Sequence, residues 1–264
     1  MDEIESKIET NVEEVSKNDV EEIATNDKTN NEQVLLKTKK ESRFVTVFNR
    51  IAYAFIPFLI FLFFQQLAWS GNMLLSDGTG AKPAIWLDSQ IPIISEFSWI
   101  YLLTFPIAIF TYFLVAYKDK KHHWNLWLTL VINSIISGII YLCWQTQMVK
   151  EPFEAITLSD KLLLMIWGAC KPVNCFPSQH VMMAMGILLG IHNQNKNIPL
   201  WLSCLLYIVS VLVMLSTVFL HQHYVLDVIA SIVLMTLIYM IVKLCKFGDY
   251  MEKRGGLFKK RSKK

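Results

Sequence analysis

Long apolar stretches separated by short polar segments dominate the sequence from about residue 44 onward. A helix rises about 1.5 Å per residue and the hydrocarbon core of a bilayer is about 30 Å thick, so a membrane-spanning helix needs roughly 20 mostly apolar residues. The pattern therefore predicts an all-α, polytopic membrane protein with six transmembrane helices. The predicted spans are residues 45–67, 98–117, 124–143, 179–195, 198–218 and 224–244. The fourth is short, rich in Met and Gly, and begins at a polar motif.

Polar segments flank this apolar region at both ends of the chain. The first 36 residues contain 11 Asp and Glu, three Lys and no aromatic residue, although 53% of the whole chain is hydrophobic and its mean hydropathy is +0.38. Such a segment buries too little apolar surface to offset its chain entropy. We predict a disordered acidic tail with a basic end over 1–43, a six-helix membrane domain over 44–246 and a basic tail over 247–264.

The positive charges indicate an orientation. Of the 25 Lys and Arg residues, 18 flank one side of the predicted spans, and the opposite loops contain only Lys82, Lys150, Lys161 and Lys171. Cytoplasmic loops carry the excess of Lys and Arg, so both termini are predicted to be cytoplasmic in a multi-pass protein of the cell membrane. Loops 68–97, 145–178 and 219–223 then face outward. The basic residues of the C-terminus are expected to set the membrane orientation and to attract anionic lipids. No nucleic-acid partner is predicted. The oligomeric state is left open.

A carboxylate lies inside one of the predicted spans. Of 22 Asp and Glu residues, Asp227 alone is placed there. A charge within a transmembrane helix is costly, so it indicates a functional site by default. His223 precedes it by four residues and falls on the same helix face. The alternative is a structural pair that ties helices together.

A second polar cluster, Cys-Phe-Pro-Ser-Gln-His at residues 175–180, precedes the fourth span. Serine is a preferred N-cap, so Ser178 would begin the helix and His180 would lie in its first turn, beside backbone N–H groups that can bind an anion. The structural alternative is that Pro-Ser merely starts a helix. On the predicted topology, His180 and His223 lie at the same outer level of the bilayer. Two histidines, a carboxylate and a helix N-terminus suit phosphoryl transfer through a phosphohistidine.

These residues resemble the type 2 phosphatidic acid phosphatase (PAP2) superfamily. Residues 177–180 are similar to its second signature, Pro-Ser-Gly-His, and residues 216–227 are similar to its third, Ser-Arg-x5-His-x3-Asp. The runs 171–178 and 223–227 resemble the branch that includes inositol phosphorylceramide and sphingomyelin synthases. The resemblance implies a six-helix fold, no metal and no other cofactor. It also implies that His223 is the nucleophile, Asp227 its orienting carboxylate and His180 the general acid.

The sequence departs from the family pattern at its phosphate-binding positions. Gln179 stands in place of glycine, Thr217 in place of arginine, and the first signature, Lys-x6-Arg-Pro, is reduced to Lys-Glu-Pro at residues 150–152. We predict that Lys171, and after it Lys150, neutralises the phosphate instead. The full set of predicted substrate-binding residues is Ser178, Gln179, Lys171, Lys150, Ser216 and Thr217.

The sequence thus favours a lipid phosphatase or phosphotransferase that acts on a membrane lipid phosphate at the outer face. One alternative is a transporter, for which Asn133, Ser134 and Ser137 within the third span could be cited. Another is a catalytically inactive, lipid-binding relative of the family. His122 and His123 are predicted to extend the charge of a cytoplasmic loop. A disulfide between Cys170 and Cys175 is left open.

Overall fold

The computed structural model describes residues 48, 52–76, 79–169, 171–194 and 197–255. Apart from residue 48, they belong to one compact unit that begins at Ile51. The predicted acidic tail and Cys170 lie outside the described residues, as do residues 256–264 of the predicted basic tail. The prediction of an all-α fold is confirmed, since every named element among the described residues is helical.

Ten helices follow one another in this part of the chain. Their bounds are α1 (Ala52–Ser70), α2 (Asn72–Leu75), α3 (Phe97–Leu102), α4 (Thr104–Lys118), α5 (Lys120–Cys143), α6 (Leu158–Ala169), α7 (Gln179–Ile191), α8 (Leu200–Phe219), α9 (Val225–Leu244) and α10 (Phe247–Arg254). A π-helical turn at Leu67–Gly71 ends the first of these helices, and a 3₁₀ turn occupies Trp86–Gln90.

Five helical segments in the described stretches are long and apolar enough to cross a membrane, one fewer than the six predicted. They are α1, α3 with α4, α5, α8 and α9. The predicted fourth span corresponds to α7, which has only 13 residues. At 1.5 Å per residue, α7 is about 20 Å long and shorter than the hydrocarbon core. It ends at Ile191, with His192 as its C-cap, and Asn193 follows with a left-handed φ of 59°.

Connections at one end of the bundle pack into a cap, which consists of residues 79–96, 144–157 and 171–178. Gln147 N–H donates to the Ala81 carbonyl at 2.9 Å, and Met148 N–H donates to the Pro172 carbonyl at 2.9 Å. Isolated β-bridges join Thr146 to Ala81 and Gln147 to Val173. These main-chain bonds give the cap a fixed geometry over the ends of α7 and α9.

The opposite end of the bundle corrects two predictions. Asp119 caps α5 by accepting from His122 N–H at 2.9 Å, so the helix starts four residues before the predicted span. His122 and His123 are therefore buried within a helix rather than exposed on a loop.

The predicted C-terminal tail also begins as an ordered helix. Gly248 N–H donates to Asn125 Oδ1 at 2.7 Å, and Asp249 pairs with Lys121 at 2.5 Å. A Cβ atom at Gly248 would lie 2.3 Å from the Lys121 carbonyl oxygen, so this close approach of α10 to α5 requires glycine. The lysine ammonium lowers the pKa of the Asp249 carboxyl through their hydrogen bond.

Candidate active site

His223 lies in the short turn between α8 and α9. The backbone N–H groups of Gln222 and His223 both donate to the Thr217 carbonyl, at 3.0 and 3.1 Å. His221 takes a left-handed φ of 48° in the same turn, and its Nε2 lies 3.1 Å from the Ile91 carbonyl oxygen. These contacts direct the two neighbouring histidines to different surroundings.

Two acceptors face Nδ1 of His223. The Cys175 carbonyl oxygen is 2.9 Å away and Asp227 Oδ2 is 3.5 Å away. Asp227 is fully buried one turn into α9, where Oδ2 also accepts from Tyr224 N–H at 2.9 Å and so caps the helix. Because both neighbours of Nδ1 are acceptors, the arrangement favours the tautomer with hydrogen on Nδ1. Nε2 is then the nitrogen with a free lone pair.

His180 lies in the first turn of α7. Ser178 caps that helix, with its Oγ accepting from Val181 N–H at 3.3 Å. Two neighbouring helices fix this N-terminal end of α7. Tyr141 O–H donates to the Pro177 carbonyl at 2.6 Å, and Ser231 O–H donates to the Ser178 carbonyl at 3.2 Å. The histidine is thus held on a helix start that cannot shift independently of α5 and α9.

An aromatic pair fixes the ring of His180. The Tyr101 ring stacks on it with centroids 4.2 Å apart, and the Tyr101 hydroxyl lies 3.2 Å from Nδ1. Phe105 meets the ring edge-on at 5.4 Å. Because the Tyr101 hydroxyl contacts Nδ1, the other ring nitrogen, Nε2, is the one available for proton transfer.

The two histidine rings lie together, with centroids 6.2 Å apart, and both line a cavity of about 380 Å³. The rings are therefore close enough for a single molecule in the cavity to contact both. The structure therefore brings His180, His223 and Asp227 together as the sequence motifs predict. The carboxylate stands behind His223 and is not among the described residues that line the cavity.

The predicted substrate-binding residues divide into two groups. Lys150, Lys171 and Gln179 line the cavity. Lys150 Nζ lies 5.3 Å from the centroid of the Trp167 ring and donates to the Trp167 carbonyl at 3.4 Å. These contacts hold the Lys150 ammonium against α6, whereas Lys171 is exposed at the cavity margin.

The second group is Ser178, Ser216 and Thr217, which are absent from the described cavity lining. Ser216 O–H donates to the Val213 carbonyl at 2.6 Å, and Thr217 O–H donates to the Met214 carbonyl at 2.7 Å. Their hydroxyls are turned back onto α8, and that of Ser178 caps α7. Thr217 supports the site through its backbone carbonyl, which holds the His223 turn, rather than through a side chain that faces a substrate.

Several cavity residues are not singled out by the sequence motifs. They are Tyr101 and Phe105 beside His180, and the amides Gln65, Asn174 and Gln222. Gln65 on α1 accepts from Ser134 O–H at 2.9 Å and donates to Gln179 Oε1, so hydrogen bonds connect α5, α1 and α7. Ser134, which a transporter hypothesis could cite, is thus bonded to a neighbouring helix.

Cys175 also lines the cavity. It is a free, buried thiol in this structure, and burial raises its pKa to about 12. Within the described ranges, no three His, Cys, Asp or Glu side chains are grouped as a metal site requires.

The cavity continues away from the histidines as an apolar cleft between α1 and α4. Lining residues on α1 run from Trp69 to Phe58, a distance of about 16 Å along a helix. Phe58 and Tyr112 close the floor, with ring centroids 5.2 Å apart. The cleft wall also reaches the exterior of the bundle, because Phe105 and Ile109 line it and are 46% and 42% exposed.

Comparison with known proteins identifies the part of the chain that contains these residues. Residues 145–250 match the PAP2 superfamily. An uncharacterized protein of Methanocaldococcus jannaschii is 27% identical over 177 residues, which cover 63% of this chain and 71% of that protein. Neither match distinguishes a branch of the superfamily, so the resemblance to inositol phosphorylceramide and sphingomyelin synthases stays a prediction. Residues 145–250, which contain both cavity histidines and Asp227, are thus the part of the chain that is similar to the PAP2 superfamily, in a chain with several helices long enough to cross a membrane.

Proposed function

We propose that this protein is a membrane lipid phosphatase or phosphotransferase that cleaves the phosphoester of a lipid phosphate. The observation that carries the proposal is the placement of His180 and His223 on one cavity, with ring centroids 6.2 Å apart and Asp227 behind the second ring. The PAP2 superfamily match supports chemistry on phosphate esters. The excess of Lys and Arg on the other side of the predicted spans supports a site at the outer membrane face.

The proposed reaction has two balanced steps. His223 Nε2 attacks phosphorus, the bond from phosphorus to the leaving oxygen breaks, and His180 gives its proton to that oxygen. His180 then takes a proton from water or from a hydroxyl acceptor. The resulting oxygen nucleophile breaks the bond between phosphorus and nitrogen and frees His223. During both steps the Cys175 carbonyl and Asp227 hold Nδ1–H and stabilise the positive ring.

The apolar cleft supports a lipid as the substrate. Its depth of about 16 Å is close to half of the roughly 30 Å hydrocarbon core, so it matches a chain that belongs to one leaflet. The polar end, with two histidines and two lysines, receives the phosphate, and the apolar end receives the chain. A substrate of this kind is an amphiphile with a phosphate group and at least one long hydrocarbon chain.

The direct test is an assay of the purified protein in detergent or nanodiscs. The substrates are phosphatidic acid, a polyprenyl phosphate and a polyprenyl diphosphate, each with and without a hydroxyl acceptor. Phosphate release without an acceptor identifies a phosphatase, and formation of a new phosphoester identifies a transferase. Lipid binding without turnover under all these conditions contradicts the proposal and favours an inactive relative.

Removing the cavity lysines is expected to weaken turnover. In the transition state, the phosphoryl group carries negative charge on three oxygens. A hydrogen bond to a charged group contributes about 1.5–3 kcal/mol of stabilisation. Lys171→Met is therefore expected to lower kcat/KM by roughly 10- to 100-fold. Lys150→Met should have a smaller effect, since Lys150 also contacts Trp167. The matched control is Lys161→Met, an exposed lysine on α6 that is absent from the described cavity lining. Full turnover by both cavity variants at normal abundance would exclude this role.

A bulky residue near the floor of the apolar cleft is expected to change the selectivity for the length of the substrate's hydrocarbon chain. Ala108 lines the cavity on α4, one helical turn above Tyr112. A phenylalanine there occupies space for several methylene groups, each worth about 0.8 kcal/mol when buried. Ala108→Phe should lower kcat/KM for dipalmitoyl phosphatidic acid relative to dioctanoyl phosphatidic acid by roughly tenfold or more. Ile107→Phe adds bulk to the same turn outside the described cavity lining and serves as the control. An unchanged ratio in Ala108→Phe would show that the chain binds elsewhere.

A further inference from the structure

We propose that Asn174 is a phosphate-binding residue, assisted by Gln222, and that these neutral amides orient the non-bridging oxygens of the group being transferred. The inference deepens the proposed function and rests on it. It does not follow from the sequence motifs, which assign phosphate binding to other positions.

Asn174 presents an unused amide to the cavity. Its side chain is 4% exposed and lines the cavity, and neither Oδ1 nor Nδ2 has a hydrogen-bond partner among the described residues. Buried side-chain amides in folded proteins are nearly always hydrogen-bonded, because leaving them unpaired forfeits their interaction with water. A buried amide that faces a cavity beside two histidines therefore indicates a ligand.

The backbone of Asn174 is fixed, so the Cα from which its side chain extends is held in place before any ligand binds. Its N–H donates to the Thr146 carbonyl at 2.9 Å, and the next two N–H groups donate to Thr146 Oγ1 at 2.9 Å each. Its φ of 58° is left-handed, a conformation that asparagine tolerates better than most residues. Cys175, the next residue, supplies the carbonyl that orients His223. The amide and the nucleophile are thus positioned by adjacent peptide units.

Gln222, the residue before His223, supplies a second amide. It lines the cavity directly before His223 in sequence, and its Nε2 is buried with no hydrogen-bond partner in the described structure. Its backbone is fixed by the bond to the Thr217 carbonyl. Two residues with unpaired amides are therefore tied to His223: Gln222 precedes it in the chain, and Asn174 precedes Cys175, whose carbonyl contacts its ring.

The charge of the cavity indicates what the amides bind. Its described lining contains Lys150 and Lys171, no arginine and no carboxylate, so it suits an anion. A lysine supplies charge without a fixed direction, whereas a planar amide offers two N–H donors in a fixed plane. The amides therefore supply the orientation that a guanidinium gives in other phosphate sites, and the lysines supply the charge.

The test measures anion binding separately from turnover. Orthovanadate and inorganic phosphate are titrated into the full-length protein in detergent, and the melting temperature reports binding. Asn174→Gly keeps the left-handed backbone without strain and removes the amide, and Asn174→Asp keeps the shape and adds a negative charge. Both should weaken vanadate binding, with roughly tenfold or greater loss for the aspartate, and the KM for the lipid phosphate should rise in parallel. Gln222→Glu should act in the same direction as Asn174→Asp.

The control is Asn197→Asp, which makes the same charge change at an exposed amide at the opposite end of the bundle and should leave binding unchanged. Unaltered vanadate affinity in Asn174→Gly overturns the proposal, and so does a change limited to the KM of a hydroxyl acceptor. If Asn174→Asp does not fold, the glycine variant decides the question. A wild-type protein that binds vanadate through Asn174 but turns over no lipid phosphate contradicts the proposed function alone.

Discussion

His223→Ala is expected to abolish turnover and to eliminate the phosphoenzyme. The imidazole is the group that bonds to phosphorus in the proposed reaction, and alanine leaves the cavity with no nucleophile at that position. Loss of a covalent nucleophile lowers the rate by roughly 10⁴-fold or more, even when substrate still binds. The measurement is rapid-quench labelling with a radioactive lipid phosphate, followed by alkaline gel analysis, which preserves phosphohistidine.

The same experiment includes Asp227→Asn. Nδ1–H keeps the Cys175 carbonyl at 2.9 Å as an acceptor, so the ring retains its tautomer and loses only the nearby negative charge. A slow residual activity is therefore expected, with a loss below the about 10⁴-fold seen where a substituted carboxylate leaves the wrong tautomer. His221→Asn is the control for histidine loss, because asparagine tolerates the left-handed φ at this position. Phosphoenzyme in His223→Ala at the wild-type level would assign the nucleophile to another residue.

His180→Ala is expected to slow the reaction most with poor leaving groups. A general acid contributes about 10²- to 10⁴-fold by protonating the leaving oxygen in the transition state. The alkoxide of an alkyl phosphate requires that proton to leave, whereas the nitrophenolate of a nitrophenyl phosphate leaves readily as the anion. His180→Ala should therefore lose on the order of 10³-fold on the alkyl ester and much less on the aryl ester.

Tyr101→Phe provides a useful comparison for His180. Phenylalanine keeps the ring that stacks on the imidazole at 4.2 Å and removes the hydroxyl beside Nδ1. The rate of Tyr101→Phe should fall less than the rate of His180→Ala, and the decrease should depend on the leaving group in the same way. Equal losses on both esters in His180→Ala would remove this histidine from the role of general acid.

The sequence predicts the main site residues because they depend on local spacing. His223 and Asp227 are one helical turn apart, and Ser178 with His180 marks a helix start, so each pair is defined within a few residues. The main topology likewise follows from runs of apolar residues. Two motifs that begin inward-running helices at the same bundle end must then lie close together.

The partners of those residues depend on long-range packing, which local patterns do not report. Tyr101 lies 79 positions before His180, and nothing in its neighbourhood distinguishes it from other aromatic residues of a membrane helix. Thr217 shows the converse. Its place in a signature predicts a side chain that faces the substrate, but helix rotation turns its hydroxyl onto the Met214 carbonyl. Asn174 lies within the run 171–178 that carries the family resemblance, but the sequence does not show that its side chain is buried and has no hydrogen-bond partner among the described residues.

The sequence predicts the lengths and ends of helices less well where polar residues interrupt or follow an apolar run. The run after Gln179 is apolar enough to suggest a span, but Asn193 and its polar neighbours end α7 after 13 residues. The segment after Phe247 is rich in charge and was predicted as a tail. Its fold depends on Gly248, which fits against the Lys121 carbonyl, and this contact has no signature in a single sequence.

The histidines and the wall of the cleft between α1 and α4 come from different parts of the chain. Both histidines fall inside the matched residues 145–250, whereas the wall that would hold a hydrocarbon chain is built largely from helices that precede residue 145. Mutations in that earlier segment could retune which molecule is accepted while the reacting groups stay untouched. Two proteins that share the 145–250 pattern can therefore act on different metabolites. A fragment limited to the matched region would lack Gln65 and Tyr101, so biochemical work requires the longer polypeptide.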